Sequence, residues 1–388
     1  MSNYDITLCE PSALRKEIFV EMQEFSQLLY ETSFDSTATA EEAIGKLAPL
    51  RDWIKSNVPQ RLFRYRKVND YSLSALRGDE IWGSTILEFN DPYECTPCYD
   101  IKKFTEHLHQ MFSPDAIKQT ISLVKTERMP KAYQRLIPKD ALDILKQALA
   151  TYSEDEVAVQ LAHANMSSID KVLTDWNQII NSFFLGIKQA ESETHIACFS
   201  ECCNSSLMWG HYADSHKGFC IEYDFRAALQ NCAMNCTSPA KCNNFMLNLP
   251  IAPVTYSDYR LDATSYLPTI IQGYLASITN APVDIYFLDM LLLAKCQLLK
   301  SSDWAYEHEW RMAFRTPYEK YVPHKCIAKL KPNGIYLGSR MSGENQNAIY
   351  EICKDKGIPC YIMLQNYMGQ DFTLQPQPYE EFLKATQS

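Results

Sequence analysis

The chain of 388 residues is 46% hydrophobic and carries 37 Lys/Arg against 47 Asp/Glu, a formal net charge of −10. That length suits one large or two modest domains, and the acidic balance excludes a general electrostatic grip on nucleic acid or an anionic membrane, leaving only a local basic patch to do so. The start, MSNYDITLCEPSALRKEIF, lacks the charged segment and apolar run of a signal peptide, and no later apolar run approaches the ~18 residues needed to cross a bilayer. The expectation is therefore a cytoplasmic protein without a membrane partner, whose 14 cysteines are reduced and mostly buried.

In chain order, Ile18, Met22, Phe25 and Leu29 recur at helical steps, and TATAEEAIGKLAPLRDWI continues the pattern, which predicts a helical pair in an N-terminal extension, residues 1–58. The remainder, 59–388, reads as one α+β unit. RLFRYRKV alternates like a strand, with Leu62, Arg64 and Arg66 on one face and Phe63 and Tyr65 on the other. A short helix Leu73–Arg77 stopped by Gly78, a strand Glu80–Ser84 and a turn at Asn90-Asp91-Pro92 follow. Residues 101–190 read as a helical insertion broken at Pro114, Pro130 and Pro138. Between Lys118 and Lys146 it holds seven Lys/Arg against three Asp/Glu, either a solvated helix face or a contact for phosphate or RNA.

HIACFSE is expected to be a buried strand, NSSLMWGHYADS a helix capped by Asn204, and GFCIEYDF a second strand. A Cys-rich loop, Asn231–Asn244, precedes a strand at IAPVTYS and a long helix from Ile270 to Leu299. GIYLGSR and IPCYIML read as strands either side of a helix around Asn345–Lys356. Short strands among helical blocks, without strict βαβ alternation, predict an α+β fold with a mixed or antiparallel sheet.

Two constellations carry chemistry. WAYEHEWRMAF, read as a strand from Trp304 to Phe314, puts Glu307, Glu309 and Arg311 on one face, with Tyr306, His308 and Trp310 opposite. Two carboxylates ~7 Å apart either share a ligand or form an ordinary solvent face, where a Glu309–Arg311 pair is worth ~0–1 kcal/mol. In ACFSECCNSSLMWGHYADSHKGFCIEYD, Ser200 and Glu201 stand where a strand ends, a common place for site residues. The helix after it supplies Trp209, His211 and Tyr212, of which Trp209 and Tyr212 can stack a planar ring or serve as core. No metal is expected: His211 and His216 lie about 140° apart on a helix, Cys95 and Cys98 form a lone CxxC, and Cys232, Cys236 and Cys242 lack a fourth ligand. No P-loop, dinucleotide or nucleophile-elbow motif is present.

Taken in order, LFRYR, FNDPYE, ACFSE, LMWGHYADSHKGFCIEYD and YEHEWR resemble the bacterial domain-of-unknown-function family 2971 over roughly Leu62 to Met363. Members of that family are cytosolic and sometimes lie among phage-defence genes, which implies a toxin or defence role. The same order, an arginine strand, an aromatic-x-Ser strand end and a late E-x-E, is similar to that of ADP-ribosyltransferases. That resemblance implies NAD as substrate: Arg64 or Arg66, with Tyr65 between them, on its phosphates or ribose, Ser200 in the nicotinamide pocket, Glu309 at the ribosyl cation and Glu307 orienting a protein or nucleic-acid acceptor. It also implies that Trp209, His211 or Tyr212 flanks the nicotinamide. Two other classes stay open: a Mg²⁺-dependent nuclease using Glu307, Glu309 and Asp91, with the basic block on RNA, and a non-catalytic sensing or interaction module.

Overall fold

The computed structural model describes residues 14–111, 113–126, 139–163, 193–226, 251–266, 289–315 and 322–387. The expected Cys-rich loop, most of the expected helix Ile270–Leu299 and parts of the helical insertion lie outside them. The fold is α+β, with a mixed, mostly antiparallel sheet.

The expected helical pair is α1 (Leu14–Glu31) and α2 (Ala40–Asn57). Thr39 starts α2 with a capping box to Glu42, satisfying amides that the first turn leaves unpaired. Strand β1 (Leu62–Arg66) leads to α3 (Asp70–Arg77), capped reciprocally by Asn69 and Ser72, and then to β2 (Glu80–Thr85). Helices α4 (Ile101–Met111), α5 (Pro114–Lys125) and α6 (Lys139–Thr151) follow. Ile117 and Ile121 of α5 meet Val157 and Ala158 in a small core of their own.

Next come β3 (Thr194–Ser200), α7 (Ser206–Tyr212), β4 (Phe219–Tyr223), β5 (Ala252–Pro253) and β6 (Thr255–Ser257). Ser205, not the expected Asn204, caps α7, its hydroxyl accepting from the Met208 amide. The strand expected at IAPVTYS breaks in two because successive amides go to different partners: Val254 donates to the Glu309 carbonyl and Thr255 to that of Leu298. The chain continues through α8 (Leu292–Gln297), β7 (Leu299–Ser301), β8 (Glu309–Arg315), β9 (His324–Lys329) and β10 (Gly334–Leu337). It ends with α9 (Gly343–Lys356), β11 (Cys360–Gln365), β12 (Leu374–Pro378) and α10 (Tyr379–Gln387).

The main sheet runs β12-β11-β10-β4-β1-β3-β2-β9, with β8 on the free edge of β3 and β5 on β8. Its parallel pair is β10–β11, joined through α9. Strand β3 is the hinge of this arrangement. One edge pairs with β8 over seven residues, from Thr194↔Arg315 to Ser200↔Glu309. The other edge is shared: β1 holds it at the single pair Phe63↔Ser200, and β2 holds it at Ser84↔Ile196 and Thr85↔His195. The sheet therefore forks between β1 and β2.

Strand alternation sorts the two faces. Leu62, Phe199, Tyr223 and Trp310 meet the N-terminal helices, where Phe25, Leu29, Leu50 and Ile54 join one core with them and Trp53 stacks on Trp310 at 6.4 Å. Phe63, Tyr65, Ser200, Glu309 and Arg311 point the other way. Between α7 and β4, Asp214, Ser215 and His216 all have positive φ (48°, 54° and 70°), one left-handed turn that non-glycine residues rarely make. Backbone bonds pin it from two sides: Gly218 donates to the Ala213 carbonyl, Gly338 to that of Gly218, and Arg340 to that of His216. Gly338 permits this approach, because a Cβ there would sit 2.2 Å from the His216 carbonyl oxygen. Gly338→Ala is accordingly expected to cost about 2–3 kcal/mol in urea denaturation, whereas Gly343→Ala, where nothing lies within 4 Å, should change stability little.

Candidate active site

The strand expected from Trp304 to Phe314 begins only at Glu309. Ser302–Glu307 is a 3-10 helix, and His308 (φ 44°, ψ 55°) takes the left-handed conformation between the two. Glu307 therefore reaches the site from the end of a helical turn rather than by strand alternation, yet it arrives beside Glu309. Tyr306 packs on the same side with Tyr212 and Trp209, instead of on the opposite face.

The two glutamates belong to a buried cluster of five charges. Arg311, 1% exposed, lies at its centre. Its guanidinium takes Glu309 by two bonds (Nε–Oε1 2.8 Å, Nη2–Oε2 3.0 Å) and Glu94 by two more (Nη1–Oε2 3.0 Å, Nη2–Oε1 2.9 Å). A fifth, Nη1 to the Gln297 carbonyl at 2.5 Å, completes its donor set. Lys300 from β7 adds contacts to Glu307 at 2.6 Å, Glu309 at 3.2 Å and Glu94 at 3.3 Å. The outer wall is polar and aromatic. Tyr212 donates to Glu307 Oε1 at 2.5 Å and is itself hydrogen-bonded by Asn90, while the Glu309 amide donates to the Tyr256 hydroxyl at 2.9 Å. Trp304, Tyr306 and His211 form a row of rings with centroids 6.1 and 6.2 Å apart, and the Lys300 ammonium lies 4.8 Å from the Trp304 ring.

Three carboxyls against two cations leave one surplus negative charge in a dry setting, and the surplus settles on Glu307. Burial and the neighbouring Glu309 charge push its carboxyl up to about 7, against the pull of Lys300. Burial also acts to raise Glu309, but the charges of Arg311 and Lys300 and the bonds from Arg311 and the Cys198 thiol outweigh it and hold that carboxyl well below its ordinary range. Burial lowers Lys300, but its carboxylates win and raise it. The Tyr212 hydroxyl is raised by burial and then by Glu307, so it stays a donor. The arrangement thus holds one titrating acid beside a permanently ionised one.

A cleft of about 280 Å³ reaches this cluster through Glu94 and Lys300; Tyr93, Asp258, Tyr259 and Arg260 stand on its walls. Among the described residues no group of three or more His, Cys, Asp or Glu is placed to hold a metal ion. Each oxygen of Glu94 and Glu309 is occupied by Arg311 or Lys300. Asp91, expected as a third ligand, lines the cleft instead of joining the glutamates.

Residues 208–312 match the model of a family described as a protein of unknown function, DUF2971. The match takes in Tyr212, Lys300, Glu307, Glu309 and Arg311, and stops short of Glu94 and of β1. No curated protein and no solved structure matches the chain. Among the described residues, no helix is long and apolar enough to cross a membrane.

Of the residues expected in the site, the structure brings together Glu307, Glu309, Tyr212 and Arg311. Ser200 touches them through the backbone: its buried hydroxyl donates to the Glu307 carbonyl at 2.6 Å and accepts from the Cys202 amide, so it fixes the turn rather than lining an open pocket. Trp209 is core, its indole N–H on the Cys203 carbonyl at 2.7 Å, and Tyr65 donates to the Cys202 carbonyl at 2.6 Å. His211 is exposed, at the end of the aromatic row. Arg64 and Arg66 are a correction to the expectation of one shared pocket: β1 pairs Phe63 with Ser200, and Ser200 pairs with Glu309, so alternation sends both arginines to the opposite face. In the basic block, Lys118 and Lys125 are paired with Asp155 and Glu154, and residues 127–138 lie outside the described set.

Lys300 and Glu94 were not singled out from the sequence. A lone lysine before SSDW and a glutamate closing FNDPYE carry no local mark of pairing. The signal that was available is the recurrence of FNDPYE and YEHEWR in one resemblance.

Removing one side of a buried charge set leaves the other uncompensated. Arg311→Leu is expected to cost about 3–5 kcal/mol in urea denaturation, because Glu94 and Glu309 lose their main counter-charge. A second expectation concerns pH. Glu307 holds its proton more tightly folded than unfolded, so the stability it contributes is present below its ordinary value of 4.5 and is lost as pH rises through about 7. Glu307→Gln should abolish that loss, which denaturation midpoints of both proteins across this window would show.

Proposed function

We propose that the cluster is the centre of an enzyme that breaks the nicotinamide–ribose bond of NAD and passes the ADP-ribosyl group to an acceptor, water included. The observation that carries the reading is the placement of Glu307: a buried carboxyl held by Tyr212 at 2.5 Å and Lys300 at 2.6 Å, two residues from Glu309, where burial and the Glu309 charge push it up to about 7. Near neutrality such a group suits general-base work.

In the proposed step the C1′–N bond of NAD breaks, its electron pair neutralises the pyridinium nitrogen, and nicotinamide leaves uncharged. The ribosyl carbon becomes cationic. The acceptor's oxygen attacks that carbon while its proton passes to ionised Glu307. The net negative charge of the cluster favours the cation, and Glu309, locked by Arg311, sets the charge of Glu307 instead of acting directly. Glu307 thus keeps its expected place at the acceptor, while Glu309, expected at the ribosyl cation, acts through the charge it sets. The row of Trp304, Tyr306 and His211 supports stacking of a planar ring, and Arg260, 5.4 Å from the Tyr93 ring, is the exposed cation on the cleft wall for the pyrophosphate.

The test is incubation of the purified protein with NAD and cell extract, following nicotinamide release and label transfer. Glu307→Gln is expected to lower turnover about 10²–10⁴-fold, and the wild-type rate should rise with pH through about 7. Nicotinamide release no faster than in Glu307→Gln at any pH would refute the reading.

A further inference from the structure

Arg64 and Arg66 are charge chemistry that the carboxylate cluster leaves unused. They stand two residues apart on one face of β1, so their Cα atoms are about 7 Å apart and their side chains leave the sheet in the same direction. Arg64 is 8% exposed; its Nη2 donates to the Trp82 carbonyl across the fork between β1 and β2, and its Cζ lies 5.8 Å from the Phe199 ring. Arg66 is half-buried, and among the described residues its guanidinium makes neither a hydrogen bond nor an ion pair. Neither guanidinium has a carboxylate within ion-pair distance among those residues.

A single exposed arginine without a partner needs no explanation, since water solvates it. Two on one strand face, the inner one buried, are different: their charges repel where water screens poorly. The Arg64 charge first and burial second lower Arg66 to about 10. Tyr223 of β4, paired with Leu62 of β1, feels both arginines and supplies a hydroxyl beside them. Asp79, the acid that Tyr223 also feels, is paired with Lys356 at 2.7 Å. This face of β1 therefore offers two guanidinium groups and a hydroxyl, and among the described residues no carboxylate stands in ion-pair contact with either arginine.

We propose that Arg64 and Arg66, with the Tyr223 hydroxyl, bind a phosphate group on the sheet face opposite the carboxylate cluster. A tetrahedral dianion matches two adjacent forks in charge and in number of acceptor oxygens, which a monoanionic carboxylate does not. On a chain of net charge −10, binding of such an anion needs a locally focused cationic site of this kind. Inorganic phosphate and the phosphate of a small nucleotide share this chemistry.

The test measures the thermal midpoint of the full chain in inorganic phosphate, and separately in ADP, against chloride at matched ionic strength. Either anion is expected to raise the wild-type midpoint by about 2–4 °C, and the larger of the two shifts names the source. Arg66→Gln should lose the shift while keeping a midpoint in chloride at least equal to that of wild type, because it removes an unpaired charge. Arg66→Lys, which keeps the charge and loses the fork, should show a reduced shift. Glu307→Gln should retain the full shift, which separates this site from the NAD reading. Equal shifts in wild type and Arg66→Gln, or none in wild type with either anion, would overturn the proposal.

Discussion

The Arg311 guanidinium is the contact on which the rest of the site depends. It spends all five donors within the protein, four on two carboxylates and one on a carbonyl, and almost none of it meets solvent. A charge so placed is tolerable only when its partners are fixed, since desolvating it costs several kcal/mol that well-aligned carboxylates must offset. Those partners come from distant parts of the chain: Glu94 from the loop after β2, Gln297 from the end of α8, and Glu309 from its own strand. Arg311 thus ties the FNDPYE loop, the α8–β7 corner and the β3–β8 ladder into one unit. Lys300 repeats the logic from β7 and carries it to Glu307.

The fork in the sheet explains why chemistry divides between two faces. Strand β3 must satisfy β8 along its whole length and share its other edge between β1 and β2, so β1 keeps one pairing there. That pairing, Phe63 with Ser200, sets the phase of β1. Phe63 and Tyr65 fall on the face of the cluster, where Tyr65 clamps the turn after Ser200. Arg64 and Arg66 fall on the face of the helices, and Arg64 bridges the fork to β2. Shifting β1 by one residue would exchange the two sets, which is why the strand's alternation decides more about function than its composition does.

How much of this was legible from the residues follows from the range of each interaction. Several strands and helices came through because their signals are local: the alternation in LFRYR, the helical spacing of Phe25 and Leu29, and Gly78 at the end of a helix. The shared face of Arg64 and Arg66, and that of Glu309 and Arg311, were equally readable from a period of two. Which faces of different strands coincide is set by register, and register depends on pairings far apart in sequence. The partners of Arg64 and Arg66 are therefore not legible from the residues, although the alternation of their own strand is. Lys300 and Glu94 were invisible for a related reason: a buried ion pair spanning some 200 residues leaves no pattern in either neighbourhood. The break at His308 was hidden too, because EHEWR has the aromatic composition of a strand while the left-handed turn depends on tertiary bonds.

That turn is what makes two similar glutamates chemically unlike. Had the strand run through from Trp304, Glu307 would project parallel to Glu309 but about 7 Å further along the strand from Arg311, instead of turning back onto Lys300 and Tyr212. The left-handed His308 conformation, a strain of about 1–2 kcal/mol for a non-glycine residue, ends the ladder at Glu309 and is held by the bond from its amide to the Ala305 carbonyl and from the Glu201 amide to its own carbonyl. Glu309 stays in the ladder and takes the bidentate arginine. Glu307 comes off the 3-10 helix with only Lys300 and a tyrosine hydroxyl, so desolvation wins there and loses two residues later. A difference of one cationic partner, imposed by backbone geometry, is enough to leave one acid ionised throughout and the other poised near neutrality.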